Sequence, residues 1–195
     1  TANLNLSYEK EFFDRNQTEF QFGPGLVDRN ELSDRKNREY EYEIGGFQTA
    51  SGKEFAHILI WQTDHGFKKR LFEMIAERSS PPKETRRKID AARQAWLKLC
   101  NAHSPKKLVT DCYTDDAIYY NRGRILRGTE ALAEEYAYMA DANYSLNLIP
   151  KHVELVSDKM AFEIGRCEGS YNLPYLLVWE KQNDGHWKIY VDSNY

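Results

Sequence analysis

The acidic residue best placed for proton chemistry is Glu163, in a strand predicted over Met160–Cys167. Alternate residues of a strand point to opposite faces of a sheet, and the pattern leaves two arrangements open. If Phe162 and the other even-numbered residues point inward, the inner wall is apolar, with Arg166 as a cation at its mouth. If the odd-numbered residues point inward, Glu163 enters the interior, where it could act as a general base. The alternative to catalysis is that Glu163 is a solvated sheet residue, because glutamate is rarely buried without a partner.

A second carboxylate, Asp192, lies in the last predicted strand, His186–Asn194. Trp187, Ile189 and Val191 alternate there with polar residues, which predicts an apolar inner face. On this period of two, Asp192 points outward and is expected to be a polar residue at a sheet interface rather than a catalyst.

The remaining reactive residues do not indicate metal or thiol chemistry. The five histidines are scattered, with no close pair at helical or finger spacing, so we expect no metal site and no structural zinc. We expect no cofactor either. An odd, sparse set of cysteines is not a disulfide framework. The residues expected to be free buried thiols are Cys100, Cys112 and Cys167.

The composition is that of a folded protein of 195 residues, because 41% of them are hydrophobic and can form a core. The net charge of -3 gives no general attraction to nucleic acid. No apolar run approaches the roughly 20 residues that a membrane span needs. We therefore expect no nucleic-acid and no membrane partner. The chain begins with Thr1 rather than Met, so a soluble cytoplasmic protein and one exported after loss of a presequence both stay open.

The elements that position these residues divide at the Ser/Pro-rich segment 78–83, which predicts two domains, 1–80 and 81–195. After the division, helical periodicity predicts three helices with one strand between the last two. Beyond Asn143 the period shifts to two and predicts four strands, the last two joined at Asn183-Asp184-Gly185. Helices followed by antiparallel strands predict an α+β domain, a curved antiparallel sheet wrapped round its N-terminal helices.

Residues 28–78 carry strand signals that match the strand half of the second domain. Glu43-Ile44-Gly45 matches Glu163-Ile164-Gly165. Further along, Ile60-Trp61 matches Val178-Trp179 in the same order. Because too few residues precede these strands for the helical half, we predict an incomplete, strand-rich copy of the second domain, preceded by an N-terminal arm.

An ordered set of motifs spans residues 83–195. The motifs are Tyr113-Thr114-Asp115-Asp116-Ala117, Arg127-Gly128-Thr129-Glu130, Leu177-Val178-Trp179 and Asp184-Gly185-His186-Trp187-Lys188-Ile189. Together they resemble the SnoaL-like branch of the nuclear transport factor 2-like superfamily, which also contains ketosteroid isomerase. The resemblance implies a cystatin-like α+β cone with an internal pocket, and frequent dimers packed through the outer sheet face.

The resemblance does not extend to the catalytic residues of ketosteroid isomerase. In that enzyme an aspartate moves the proton, while a tyrosine and a protonated aspartate hold the oxyanion. The matching positions fall here on Asn121, which cannot accept and return a proton near neutral pH, on Trp96, which is a weaker donor, and near Val178, which is apolar. Only the supporting aromatic residues Tyr113 and Tyr136 match. Isomerase- or cyclase-like chemistry is therefore the most that the resemblance implies, with Glu163 as a weak catalytic candidate.

The function implied by the resemblance is binding of a small apolar or aromatic molecule, with cofactor-free acid–base chemistry as an extension. The expected pocket walls are Trp96, Tyr119, Asn121, Tyr136, Met139, Trp179, Val191, Ser193 and Tyr195. The alternative is a non-catalytic association module that uses its sheet faces, in a sheet-to-sheet dimer or in a pseudo-dimer within one chain.

Overall fold

The chain folds into two compact units, Thr1–Ser80 and Pro81–Tyr195. The second unit begins at Pro81-Pro82, where two successive residues lack a backbone N–H. The residues described by the computed structural model are 20–21, 30–33, 39–121 and 124–194.

The described part of the first unit is a β-sheet. Its strands are β1 (Phe20–Gln21), β2 (Asn30–Ser33), β3 (Glu39–Thr49), β4 (Glu54–Asp64) and β5 (Phe67–Glu77). Strands β3, β4 and β5 form an antiparallel meander, and β1 and β2 both pair with β3. The two tight turns of the meander contain Gly52 and Gly66, whose positive φ angles are open to glycine without steric cost.

The second unit begins with its helices. Helix α1 (Thr85–Asn101) buries Ile89, Arg93, Trp96 and Cys100, which recur at the spacing of one helix face. The elements that complete the helical layer are α2 (Pro105–Cys112), α3 (Gly128–Glu135) and the 3-10 helix Tyr136–Ala140.

The sheet of the second unit has six strands in its described part. They are β6 (Tyr113–Asn121), β7 (Arg124–Arg127), β8 (Leu146–Leu155), β9 (Met160–Gly169), β10 (Pro174–Lys181) and β11 (Trp187–Asn194). Their spatial order is β7-β6-β11-β10-β9-β8. Every neighbouring pair is antiparallel except β6 and β11, which run parallel. The sheet is therefore mixed rather than purely antiparallel, because β6 enters it from the helical half and not through a hairpin with β11.

The core of the second unit lies between the helices and one face of this sheet. Ile89 of α1 and Leu108 of α2 are fully buried in one cluster with Tyr113 of β6 and Trp179 of β10. Burial of such side chains supplies most of the favourable free energy of folding. The layers confirm the predicted α+β class, with helices first in the sequence and the main strands after them.

No helix in the described part of the chain combines the length and the hydropathy of a membrane span. Within the same residues, no three His, Cys, Asp or Glu side chains are grouped as ligands for a metal ion.

Candidate active site

A β-bulge in β11 decides which side chains of the last strand face the helices. Val178 of β10 pairs with Val191, but the next residue of β10 pairs with Ile189, so Tyr190 is the additional residue of the bulge. One additional residue reverses the alternation of a strand beyond it. Ile189 therefore faces the helical layer before the bulge, and Asp192 faces the same layer after it.

The orientation expected beyond Tyr190 from a strict period of two is wrong. Asp192 and Asn194 line an interior cavity. Val191 and Ser193 are buried, but neither is among the described residues that line it. The hydrophobic pattern of β11 could not reveal this reversal, because both faces of the strand are buried beyond the bulge.

Asp192 is a buried carboxylate held by two tyrosines. Only 5% of its surface is exposed, and the hydroxyls of Tyr113 and Tyr136 each donate to Oδ2 at 2.6 Å. Among the described residues, none donates a hydrogen bond to Oδ1. Burial raises the pKa of Asp192 to about 6, although the two tyrosine hydrogen bonds act to lower it. The carboxyl group therefore changes charge close to neutral pH.

The two tyrosines are themselves oriented by their neighbours. Their hydroxyl oxygens lie 3.2 Å apart, and the indole Nε1 of Trp96 donates to the hydroxyl of Tyr113 at 3.1 Å. Burial, followed by the negative charge of Asp192, raises the pKa of both Tyr113 and Tyr136 well above the ordinary value. Both phenols therefore stay protonated and act as hydrogen-bond donors to Asp192.

The cavity beside Asp192 is small and mostly apolar. Its free volume is about 20 Å³, which is room for about one water molecule. Larger molecules would have to displace side chains of the wall. The residues that line the cavity are Trp96, Tyr136, Met139, Leu146, Leu148, Cys167, Tyr171, Tyr175, Leu177, Ile189, Asp192 and Asn194.

Glu163 also points toward the helices, which settles the orientation of β9 left open by the sequence. Arg93 of α1 binds both of its oxygens, with Nε 2.7 Å from Oε1 and Nη2 2.8 Å from Oε2. Tyr175 donates to Oε1 at 2.7 Å, and Trp179 donates to Oε2 at 2.8 Å. Burial lowers the pKa of Arg93, but the hydrogen bonds and charge of Glu163 outweigh burial and raise it. A carboxylate with four donors is part of a structural ion pair, and its lone pairs are not open to a substrate proton.

A second polar chain runs along the sheet beside the cavity. The side-chain amide of Asn121 donates to the hydroxyl of Tyr119 at 2.8 Å. Tyr119 in turn donates to Oδ1 of Asn194 at 2.8 Å. The amide of Asn194 reaches the hydroxyl of Tyr171 at 3.5 Å. This chain fixes the amide group of Asn194 at the cavity wall.

The residues expected to form the pocket separate into three groups. Trp96, Tyr136 and Met139 line the cavity. The residues of the second group do not line the cavity; they are Tyr119, Asn121, Trp179, Val191 and Ser193. Of these, Trp179 is bound to Glu163 in the surrounding buried core. Tyr195 lies outside the described residues.

The sequence did not reveal which carboxylate lines the cavity. Tyr113 and Tyr136 gave a partial signal, because both match aromatic positions of the resemblance. Nothing in the sequence marks the bulge at Tyr190 that brings Asp192 to them.

Solved structures similar to this chain match a little more than half of it. A nuclear transport factor 2-like protein of unknown function from Shewanella oneidensis is 18% identical, with a TM-score of 0.50 over 56% of this chain and 97% of that one. The second unit has the nuclear transport factor 2-like fold. A domain of unknown function with a cystatin-like fold from Nostoc punctiforme is 16% identical, with a TM-score of 0.49 over 58% of this chain and 77% of that one. A ketosteroid isomerase-like protein from Erwinia carotovora is 24% identical, with a TM-score of 0.47 over 57% of this chain and 96% of that one.

The nuclear transport factor 2-like fold confirms the architecture that the resemblance implied. No protein-family model and no curated protein matches the chain. One fold hosts many unrelated functions, so these structural matches say nothing about chemistry.

Proposed function

We propose that the second unit binds a small apolar or aromatic molecule, for which side chains of the cavity wall move apart, and that Asp192 exchanges protons with it without a cofactor. The observation that carries this proposal is a buried carboxylate on an aromatic and aliphatic cavity wall, with one oxygen that no described residue bonds. Apolar cavities with a few convergent polar groups are the usual form of small-molecule sites. Asp192 replaces Glu163 as the proposed proton acceptor, because both carboxylate oxygens of Glu163 already accept two hydrogen bonds each.

The protonation behaviour of Asp192 suits a general base. A catalytic base works best when its pKa lies near the working pH, and burial brings the pKa of Asp192 to about 6. In the proposed step an acidic C–H bond of the ligand breaks, and its proton passes to Oδ1. The bonding electrons stay on the ligand as an enolate, and Asp192 then returns a proton to carbon. Both protons and electrons balance without a further reactant.

The test of this chemistry is hydrogen–deuterium exchange on an enolisable aromatic ketone, 1-tetralone, followed by NMR in deuterated buffer. The wild-type protein should exchange the α-hydrogens faster than buffer alone, and Asp192→Asn should return the rate to that of buffer. Asp158→Asn is the matched control, because Asp158 is an exposed aspartate. Equal exchange by the wild type and Asp192→Asn would overturn the role of Asp192.

Binding is tested separately from chemistry. Trp96 lines the cavity, so Trp96→Ala should weaken the binding of 1-tetralone in isothermal titration calorimetry. An unaltered dissociation constant would contradict the assignment of the cavity as the ligand site.

We also propose that the meander β3–β5 is a structural copy of β9–β11, and several features support it. Trp61 donates to Glu43 across the strands at 3.0 Å, as Trp179 does to Glu163 at 2.8 Å. The register of β4 and β5 shifts between Ile60 and Trp61, at the position that corresponds to the shift between Val178 and Trp179. The two sheets therefore share a hydrogen bond and a bulge at matching places.

A close-packed glycine recurs as well. A side chain on Gly45 would overlap the ring of His57, and a side chain on Gly165 would overlap the ring of Tyr175. In each case the ring belongs to the residue directly opposite on the next strand. Glu73 of β5 lies beyond the register shift between β4 and β5, and it is buried at the position that corresponds to Asp192.

The proposed repeat is tested through the two indole protons. Glu43→Gln should move the NMR signal of the Trp61 indole N–H, and Glu163→Gln should move that of Trp179. Each substitution should leave the other indole signal in place, because each bond is local to its own sheet. A Trp61 signal that does not respond to Glu43→Gln would contradict the equivalence.

Association through the sheet faces is the second candidate function, and the repeat favours it because duplicated sheets are suited to pairing. Sedimentation equilibrium of the full chain measures it, with 22.9 kDa expected for a monomer. A single species of that mass at all concentrations would exclude the sheet-to-sheet dimer between chains.

A further inference from the structure

The charge of the cavity wall is unbalanced, and this imbalance bears on the class of ligand. Asp192 is the carboxyl group on the wall, and no lysine, arginine or histidine among the described residues lines it. Burial raises the pKa of Cys167 to about 12 and also raises the pKa of Tyr171 and Tyr175 above the ordinary value. These groups stay neutral, so above pH 6 the wall carries the negative charge of Asp192 alone.

Arg93, a buried cation of the second unit, forms its ion pairs away from the cavity wall. Arg93 binds both oxygens of Glu163 and also donates to Asp90 at 2.9 Å. Glu163 and Asp90 thus balance the charge of the guanidinium group, and this group makes no hydrogen bond to Asp192. A buried carboxylate without a cationic partner is stabilised by any positive charge that reaches it.

The rest of the wall is suited to a cation rather than to an anion. Trp96, Tyr136, Tyr171 and Tyr175 contribute four aromatic rings to one small cavity. Aromatic faces carry a negative electrostatic potential and attract ammonium groups, which compensates part of their lost hydration. A carboxylate or phosphate would instead meet the negative charge of Asp192, with no cation among the described wall residues to compensate it.

We infer that the group of the ligand that meets Asp192 is a positively charged amine attached to an apolar body. The inference rests on the proposed ligand site and names a class of ligand for it. A bound ammonium takes Oδ1, so such an amine is a ligand of the site and not a substrate of the proton transfer. An ammonium N–H donates to Oδ1, the oxygen that no described residue bonds, while Tyr113 and Tyr136 hold Oδ2. The same wall excludes carboxylate- and phosphate-bearing ligands.

The test is a charge series on one aromatic body, measured by calorimetry with the full chain at pH 8. The three probes are benzylammonium, benzyl alcohol and benzoate. Benzylammonium should bind about tenfold more tightly than benzyl alcohol, in the range expected for a desolvated cation near aromatic rings. Benzoate should not bind detectably.

Two variants identify the source of the preference. Asp192→Asn keeps the size of the side chain and its acceptor for the two tyrosines, and it should reduce the preference for benzylammonium to less than about twofold. Asp158→Asn should leave the preference unchanged. Circular dichroism establishes that both variants are folded.

The outcomes separate this inference from the proposed site itself. If benzyl alcohol or benzoate binds as tightly as benzylammonium, the amine class is wrong, while a loss of benzyl alcohol binding in Trp96→Ala would uphold the site. If benzylammonium binds equally to wild type and Asp192→Asn, the inference also fails. If none of the three probes binds at millimolar concentration, both the ligand class and the site are overturned.

Discussion

The buried charge of Asp192 should make the stability of the protein depend on pH in a way that Asp192→Asn removes. Burial raises the pKa of Asp192 from 3.8 to about 6 in the folded chain. The folded state therefore binds the proton more tightly than the unfolded state does. The stabilisation is fully present below the unfolded pKa of 3.8 and is lost as the pH rises through about 6.

The size of the effect follows from the two pKa values. A shift of about two pKa units corresponds to about 3 kcal/mol over the whole titration. Between pH 5 and pH 7.5 the proton linkage of this one group removes about 1.4 kcal/mol of the free energy of unfolding. Other groups add their own pH dependence, but that part is common to the wild type and the variant.

Urea unfolding at pH 5 and pH 7.5 measures this difference through tryptophan fluorescence, since three of the four tryptophans lie in the second unit. From pH 5 to pH 7.5 the free energy of unfolding of the wild type should fall by about 1.4 kcal/mol more than that of Asp192→Asn. Asp158→Asn, which alters an exposed carboxylate, should follow the wild type. If the wild type and Asp192→Asn change equally, Asp192 does not titrate as a buried acid and the proposed general base loses its basis.

Three further predictions concern the second unit. Arg93→Met should lower the free energy of unfolding by about 3–5 kcal/mol, because it leaves the charge of Glu163 buried without its partner. The double variant with Glu163→Met should recover part of this loss in urea unfolding, and a double variant as unstable as the single one would contradict a buried ion pair. Gly165→Ala should lower the free energy of unfolding by about 1–3 kcal/mol, because the added methyl group would overlap the carbonyl of Ile149 and the ring of Tyr175. An unchanged urea midpoint would refute this packing. The three cysteines are buried, and burial raises the pKa of their thiols to between about 11 and about 12. Ellman's reagent should therefore react with them only after unfolding. Rapid labelling of the native chain would instead show an exposed thiol.

The sequence by itself determined the fold class and the layers of the second unit. The helical spacing of Ile89, Ala92, Trp96 and Leu99 predicted one face of α1, since a helix repeats every 3.6 residues. In the structure Ile89 and Trp96 are buried, and Ala92 and Leu99 are partly buried. The shift to period two after Asn143 likewise predicted the strands, because alternate strand residues must enter a core or face away from it. These features are local, so they can be read without knowing the partner elements.

Only the tertiary structure decided which carboxylate reaches the cavity. Glu163 faces inward, which is one of the two orientations that the sequence of β9 allowed. There it forms an ion pair with Arg93, which is seventy positions away in sequence. Asp192 faces inward against the expectation, because the bulge at Tyr190 reverses the last strand. A bulge is a mismatch of register between two paired strands, so it cannot be predicted from the sequence of either strand alone. Which carboxylate lines the cavity is therefore a property of the paired sheet and not of any single segment of the chain.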